Sequence, residues 1–402
     1  MSRNGITHIL LSAGLLASIS PALAAGTWSE ARNDAMGGTG VASSHYGAAA
    51  LVNPALLTGY GEDDAISIIL PAVGVRVSDP DNLQDGFDNV QSSWDRLKDD
   101  ANKGTGSPAS IKRFENALRE VSGDKGKAEA GVNGVIAVPN PILPFALVAR
   151  DWATANVKAD VSNRDLAYLD AVQAGLIRPV PADLDKLTSR AEGMGALVTE
   201  YGVAMALPFT LNDHAFSVGI TPKLQRVATY NYNVAINHYD KADFRNEEFR
   251  RTENGANIDL GLSANITPDW IAGLAAQNLV ARSVETKEVD GVRDSFNIRP
   301  QITAGTSWSN GFFTSAIDID LTPASGFSAR EKNQYAGVGA EINAWTWVQL
   351  RAGYRADMRH SDNNVFTTGF GLSPFNVVHL DVTGLVGEDR TYGAVAQLSY
   401  TF

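Results

Sequence analysis

The sequence predicts an all-β protein, a transmembrane antiparallel β-barrel of about fourteen strands with an N-terminal plug and helical extracellular loops. Three observations predict it. Apolar and polar residues alternate with period two, the connections sort into short and long, and the chain of 402 residues ends on an aromatic, Phe402, inside a strand.

Alternation is clearest in the last twelve residues, TYGAVAQLSYTF. Tyr392, Ala394, Ala396, Leu398, Tyr400 and Phe402 share one face; Thr391, Val395, Gln397 and Ser399 share the other. Period two belongs to a strand with two unlike faces. The same pattern sets Asp259 against Leu260 and Leu262, Asp318 and Asp320 against Ile317 and Ile319, and Glu341 against Val338 and Ile342. It sets Arg351 and Arg355 against Leu350 and Tyr354, and Asp381 against Leu380 and Val382. Full charges in strand interiors suit a wet lumen, with the apolar face toward lipid. Asp259, Asp318, Asp320, Glu341, Arg351, Arg355 and Asp381 are therefore candidate lumen-lining residues.

A soluble sandwich alternates too, but it has no reason to sort its connections by length. Short turns are expected near Pro139–Leu143, Thr210–Asp213, Thr267–Asp269, Ser309–Gly311, Asn343–Trp345 and Ser373–Asn376. Longer connections are expected at Asp79–Lys127, Ser162–Gly195, Tyr230–Glu253, Glu285–Asn297, Thr322–Asn333 and Ala356–Asn363, with a tight last one at Gly387–Arg390. That places both termini at the short-turn end, which is periplasmic in outer-membrane barrels.

Two inserts read as helical. Leu83, Phe87, Val90, Trp94 and Leu97 recur at spacings of four and three, and Ile111, Phe114, Leu118 and Val121 repeat the pattern, forming an amphipathic hairpin near 79–127. A second insert near 162–195 spans RDLAYLDAVQAG and PADLDKLTSRAEG. Such helices pack on the barrel rim or form a cap for a partner.

Residues 1–24 read as a secretory signal peptide, with Arg3, an apolar run Ile9 to Ser20, and Ala22-Leu23-Ala24 as the small-x-small cleavage pattern. The run is shorter than the ~20 residues that cross a bilayer. The formal net charge of −12 argues against nucleic acid as a partner. The absence of cysteine removes disulfides, thiol catalysis and thiolate metal sites. HExxH, Walker and Gly-x-Ser-x-Gly patterns are all missing. GVGAEI and GFGLS carry glycines two apart, but in strands with no helix following. His379 and Asp381 with a serine would suit a hydrolase, yet they sit where ordinary polar lining residues sit. No enzyme, cofactor or metal site is expected.

Residues 25–62 form a distinct unit before a barrel spanning 63–402. Their centre, ARNDAMGGTGVASSHYGAAALVNPALL, is too small-sided for a core and too poor in charge for a tail. Its natural place is inside the barrel. Gly37, Gly38 and Gly40 permit tight turns, Ala48 to Ala50 permit close packing, and Asn53-Pro54-Ala55 reads as an extended or turned exit. Asn53 is expected to bond the wall or its own backbone.

The run AMGGTGVASS…AAALVNPALL behind a signal peptide resembles the N-terminal hatch of FadL-like barrels, the long-chain fatty-acid transporter family. ARNDAMGGTGVA and NPALL resemble still more closely the outer-membrane family named after the conjugal transfer protein TraF, and GLAAQNLV at 273–280 is similar to a strand pattern of that superfamily. The resemblance implies an outer-membrane location in a Gram-negative bacterium, contact with outer-membrane lipid, and passage of a small, hydrophobic solute. It implies plug and gating roles for Gly37, Gly38, Gly40, Asn53, Pro54 and Ala55. The alternative it leaves is a structural or interaction protein of the envelope, linked to conjugal transfer and binding an envelope partner through its helical loops. Two departures bear against lateral diffusion out of the wall. The third strand, Leu143 to Val161, holds only Pro144 and no glycine, and the helical loops fall at other connections than in the fatty-acid transporters.

Overall fold

The computed structural model describes residues 30–103, 107–177, 181–236, 247–328, 332–345, 347–388 and 390–402. The expected signal peptide, 1–24, and residues 25–29 lie outside them. The strands are β1 (Ser67–Ser78), β2 (Lys125–Val138), β3 (Phe145–Asp160), β4 (Arg190–Leu211), β5 (His214–Ala235), β6 (Arg250–Thr267), β7 (Trp270–Gln277), β8 (Arg282–Glu285) and β9 (Ser295–Ile298). There follow β10 (Gln301–Ser309), β11 (Phe313–Asp320), β12 (Gly326–Phe327), β13 (Tyr335–Trp345), β14 (Val348–Asp357), β15 (Val365–Leu372), β16 (Val378–Gly387) and β17 (Thr391–Thr401).

Fourteen of these close an antiparallel barrel among the described residues; β8, β9 and β12 form a separate small sheet. Closure comes from β1, which pairs with β2 on one side and β17 on the other. A closed sheet leaves no unpaired strand edge. Five short turns lie where sequence places them, joining β2–β3, β4–β5, β6–β7, β10–β11 and β15–β16; the sixth joins β13 to β14 just past Asn343–Trp345, which belong to β13. Outward-facing positions are apolar and exposed, among them Leu147, Leu207, Leu260, Ile317 and Leu350. Trp270, Trp308, Phe312, Trp345 and Trp347 gather at the short-turn end, as an aromatic girdle does.

The strands are not uniformly about ten residues long. β4 and β5 each run 22 residues, and β6 runs 18. The connections expected at Ser162–Gly195 and Tyr230–Glu253 are correspondingly shorter. The second helical insert is helical over Asn163–Gln173 and for one turn at Pro181–Leu184. It does not continue to Gly193. Asp165 stops it: its carboxylate accepts from the backbone N–H groups of Thr188 and Ser189 at 2.7 and 2.6 Å and from both hydroxyls. The chain then enters β4, where Ala191 pairs with Ala159.

The first insert is a hairpin of helices Leu83–Asn102 and Pro108–Val121. Its predicted stripe is its buried face: Leu83, Phe87, Val90, Trp94, Leu97, Ile111, Phe114, Leu118 and Val121 form one cluster with Leu169, Leu184 and the upper ends of β3 and β4. The connection after β7 folds inward instead of outward. Thr229 and Asn231 on the inner face of β5 donate to the carbonyls of Glu285 and Lys287. Phe296, Ile298 and Phe327 of the small sheet pack on inward-facing Trp152, Met194 and Val198.

Candidate functional site

The inner face of the barrel is polar where sequence alternation makes it so, and residues 30–58 lie against it. This segment carries a short helix, Ala31–Ala35, a second, Ala49–Val52, and a 3-10 helix, Pro54–Thr58. Glu30 caps the first helix, accepting from the Asn33 backbone. Gly37 and Gly38 have φ of 74° and 80°, a left-handed conformation that only glycine adopts freely, and they reverse the chain after Met36. The Gly37 N–H donates to Thr367 Oγ1 at 3.0 Å. The Gly40 and Val41 N–H groups both donate to Asp318 Oδ2, at 2.7 and 2.9 Å.

Asn53 is extended, at φ −137° and ψ 102°, as a residue before proline should be. Its side chain makes three hydrogen bonds. Oδ1 accepts from the Ala55 N–H at 3.1 Å; Nδ2 donates to the carbonyls of Val41 at 2.7 Å and of Leu262 on β6 at 3.1 Å. The amide thus closes its own turn and joins it to the segment's other limb and to the wall. Pro54 and Ala55 are buried on β5 and β6.

The candidate lumen charges divide into two groups. One group holds the N-terminal segment. Arg32 forks onto Glu341, Nε to Oε2 at 2.8 Å and Nη2 to Oε1 at 2.9 Å. Glu341 also accepts from Arg351 at 2.6 Å, and Arg351 reaches Asp381 on β16. Bidentate guanidinium–carboxylate pairs are among the stronger ones, and these four side chains are mostly buried. Asp318 belongs here through Gly40 and Val41. The other group ties wall to wall. Asp259 accepts from Lys223 Nζ at 2.9 Å and the Asn278 N–H at 2.7 Å. Asp320 accepts from Thr303 Oγ1, Gln301 Nε2 and the Tyr335 N–H. Arg355 stands with its guanidinium 5.0 Å from the Tyr335 ring centroid, within cation–π range.

His379 pairs with Ser373, Nδ1 to Oγ at 2.9 Å. Asp381, the third member of the hydrolase reading, is bound by Arg351 instead, so no acid–base–nucleophile relay is assembled.

Two features escape sequence reasoning. The first is the charge at the start of the segment. Asp34 is buried with neither carboxylate oxygen hydrogen-bonded among the described residues. Burial pushes its carboxyl well above the usual range; Arg355 opposes this, Glu30 adds to it, and Arg150 opposes it in turn. The second is a strip of inward glycines. Gly219, Gly261, Gly273, Gly337, Gly339 and Gly353 all face backbone or side-chain atoms of residues 36–55 so closely that a Cβ would come within 3 Å. At Gly339 it would lie 2.2 Å from the Met36 carbonyl oxygen, and at Gly353 2.2 Å from the Gly37 nitrogen. Gly219 pairs with Gly261, Gly273 with Gly305, and Gly339 with Gly353. The paired spacing of GVGAEI was the available signal; it marks a seat for backbone, not a phosphate loop.

Away from this seat, toward the long-loop end, lies a cavity of about 410 Å³. Its walls come from the upper ends of β1 to β4 and from the connections after β7, β11 and β14. Lys125, Glu129, Arg150, Trp152, Glu200, Gln277, Gln301, Phe327 and Tyr335 line it.

A family model described as "F plasmid transfer operon, TraF, protein" matches residues 50–320. No curated protein matches by sequence. Solved barrels match in fold. The Ralstonia pickettii toluene transporter TbuX is 12% identical at a TM-score of 0.51, over 92% of this chain and 97% of its own. A Pseudomonas aeruginosa FadL homologue is 12% identical at 0.51, over 95% and 99%. The P. putida toluene transporter TodX is 11% identical at 0.50, over 95% and 98%. The fold is FadL-like.

Proposed function

Because the chain belongs to the F plasmid transfer operon TraF protein family and folds as a FadL-like barrel, we propose that it is an outer-membrane channel for a small solute. Residues 37–55 act as its plug, and Gly37, Gly38, Gly40, Asn53, Pro54 and Ala55 are the positions that let it seat and move. The observation that carries this reading is a segment seated against the inner wall by reversible contacts, with a cavity of about 410 Å³ farther toward the long-loop end. Those contacts are hydrogen bonds, ion pairs and glycine-to-backbone approaches, and none is covalent. The barrel sits in the outer membrane of a Gram-negative bacterium, with lipid on its apolar band, both termini periplasmic and the helical hairpin outside.

The alternative, an envelope interaction protein acting through its helical loops, has less in its favour. The hairpin turns its apolar stripe onto its own core and offers a partner mainly polar faces. The test is conductance of the reconstituted chain against a deletion of residues 31–57. Strand pairing does not use those residues, so the deletion should fold and conduct better. A folded deletion that conducts no better removes the plug, and with it the main support for a channel.

A further inference from the structure

We propose that the cavity beneath the long loops is a binding site for a small carboxylate-bearing solute, whose acid group is held by Arg150. The inference deepens the channel reading and rests on it. A cavity of about 410 Å³ lies within the ~300–1,000 Å³ typical of small-molecule sites. Its lining is not that of a hydrocarbon pocket. Arg150, Glu129 and Glu200 line it from three neighbouring strands, together with Trp152 and Tyr335.

Charge pairing inside the cavity decides the sign of the ligand. Glu129 has two cations already, Lys127 at 2.6 Å and Arg76 at 3.6 Å. Glu200 is bound by Lys223 at 3.0 Å and Gln225 at 2.6 Å. Arg150 stands across β3–β4 from Glu200 in register, yet makes no ion pair and no side-chain hydrogen bond among the described residues, and its Nε–H is buried without an acceptor. A buried donor with no acceptor has given up its hydrogen bond to water and gained none in return. Glu129 and Glu200 are paired; the Arg150 guanidinium, which Glu200 faces in register and whose charge reaches the buried Asp34, still leaves its Nε–H without an acceptor. The complementary ligand therefore carries a carboxylate, which a guanidinium fork binds with two parallel hydrogen bonds. The volume of about 410 Å³ then limits the body behind the acid group to a compact one.

Benzoate, benzylamine and toluene share one ring and differ in charge, which makes them the probes. Calorimetric titration of the folded full-length chain in detergent should show saturable benzoate binding at least tenfold tighter than benzylamine or toluene. Arg150→Gln should weaken benzoate at least tenfold, and Arg150→Lys, which keeps the charge without the fork, should weaken it less. Heat-modifiable gel mobility reports whether each variant remains a folded barrel, and the three-ligand series on the unaltered chain needs no variant. Toluene binding as tightly as benzoate, or Arg150→Gln binding benzoate unchanged, overturns the assignment. Proteoliposome flux separates the two claims. Benzoate binding without flux above empty vesicles leaves the site standing and sinks the channel; flux indifferent to charge and to Arg150 does the reverse.

Discussion

Replacing Gly339 by alanine isolates the contact between the N-terminal segment and the wall. The new methyl would lie 2.2 Å from the Met36 carbonyl oxygen and 2.4 Å from its Cβ, so Met36 must retreat to the ordinary contact of about 3.4 Å, a shift of about 1.2 Å. Thr367 Oγ1 accepts from the Gly37 N–H and donates to the Ala35 carbonyl, each at 3.0 Å. Neither bond survives a shift of that size. Losing buried hydrogen bonds and overpacking a tight contact each cost about 1–3 kcal/mol. Docking of the segment should weaken by roughly 2–4 kcal/mol, about a 30-fold or greater rise in its undocked population. The barrel itself should be unharmed, because alanine suits a strand interior better than glycine. Hydrogen exchange of peptides from residues 31–57 should accelerate while exchange in β13 and β14 stays slow. Gly384→Ala is the control, since a methyl there meets nothing within 4 Å. If Gly339→Ala and Gly384→Ala protect the segment equally, the glycine strip is not its seat.

Leu350 faces out and is 50% exposed, so Leu350→Arg should cost about 2–4 kcal/mol near the bilayer midplane and impair folding into vesicles; Gln349→Arg should be tolerated, and equal yields would mean the faces are misassigned. Epitope tags after Lys103 and after Asn212 should differ in intact cells, with only the first accessible; equal labelling would contradict the proposed orientation. The carboxyl of Asp34 is raised by burial, so the docked segment takes up a proton that the undocked one releases. Docking is then strongest below the ordinary carboxylate range and weakens as pH rises through the raised value. Asp34→Asn should abolish that dependence and leave exchange of residues 31–38 slow at pH 8 as at pH 5; persistence of the pH effect in the variant would place its origin elsewhere.

The barrel was legible because its signals are local and repeated. Alternation around Asp318 or Arg351 needs only a pair of neighbours, and a short turn such as Asn212-Asp213 needs only two residues; both have positive φ, 50° and 63°. The hairpin stripe from Leu83 to Val121 was legible for the same reason. What was hidden depends on who meets whom across the lumen. Arg32 and Glu341 are 309 residues apart, and no pattern along the chain pairs them. The glycines of GVGAEI were visible, but their purpose lies in the Met36–Gly37 backbone, which only closure brings to them. The end of the second insert was misread because Asp165, Thr188 and Ser189 act on one another across a connection, against a helical periodicity that looked sound locally.

The N-terminal segment has partners that do not exist when it is made. Ala31 donates to Gln397 on β17 across 366 positions, and Thr383 on β16 donates back to the Ala31 carbonyl. Its glycine seats are spread from β5 to β14. The first part of the described chain must therefore stay unplaced until the last strand has paired with β1. Contacts of such long separation form late and slowly. Segment docking is thus a report on completion: a barrel missing its last strands lacks the groups that hold residues 30–41, and exposes them to proteolysis. An envelope protease that trims such ends would discard unfinished barrels and pass over finished ones.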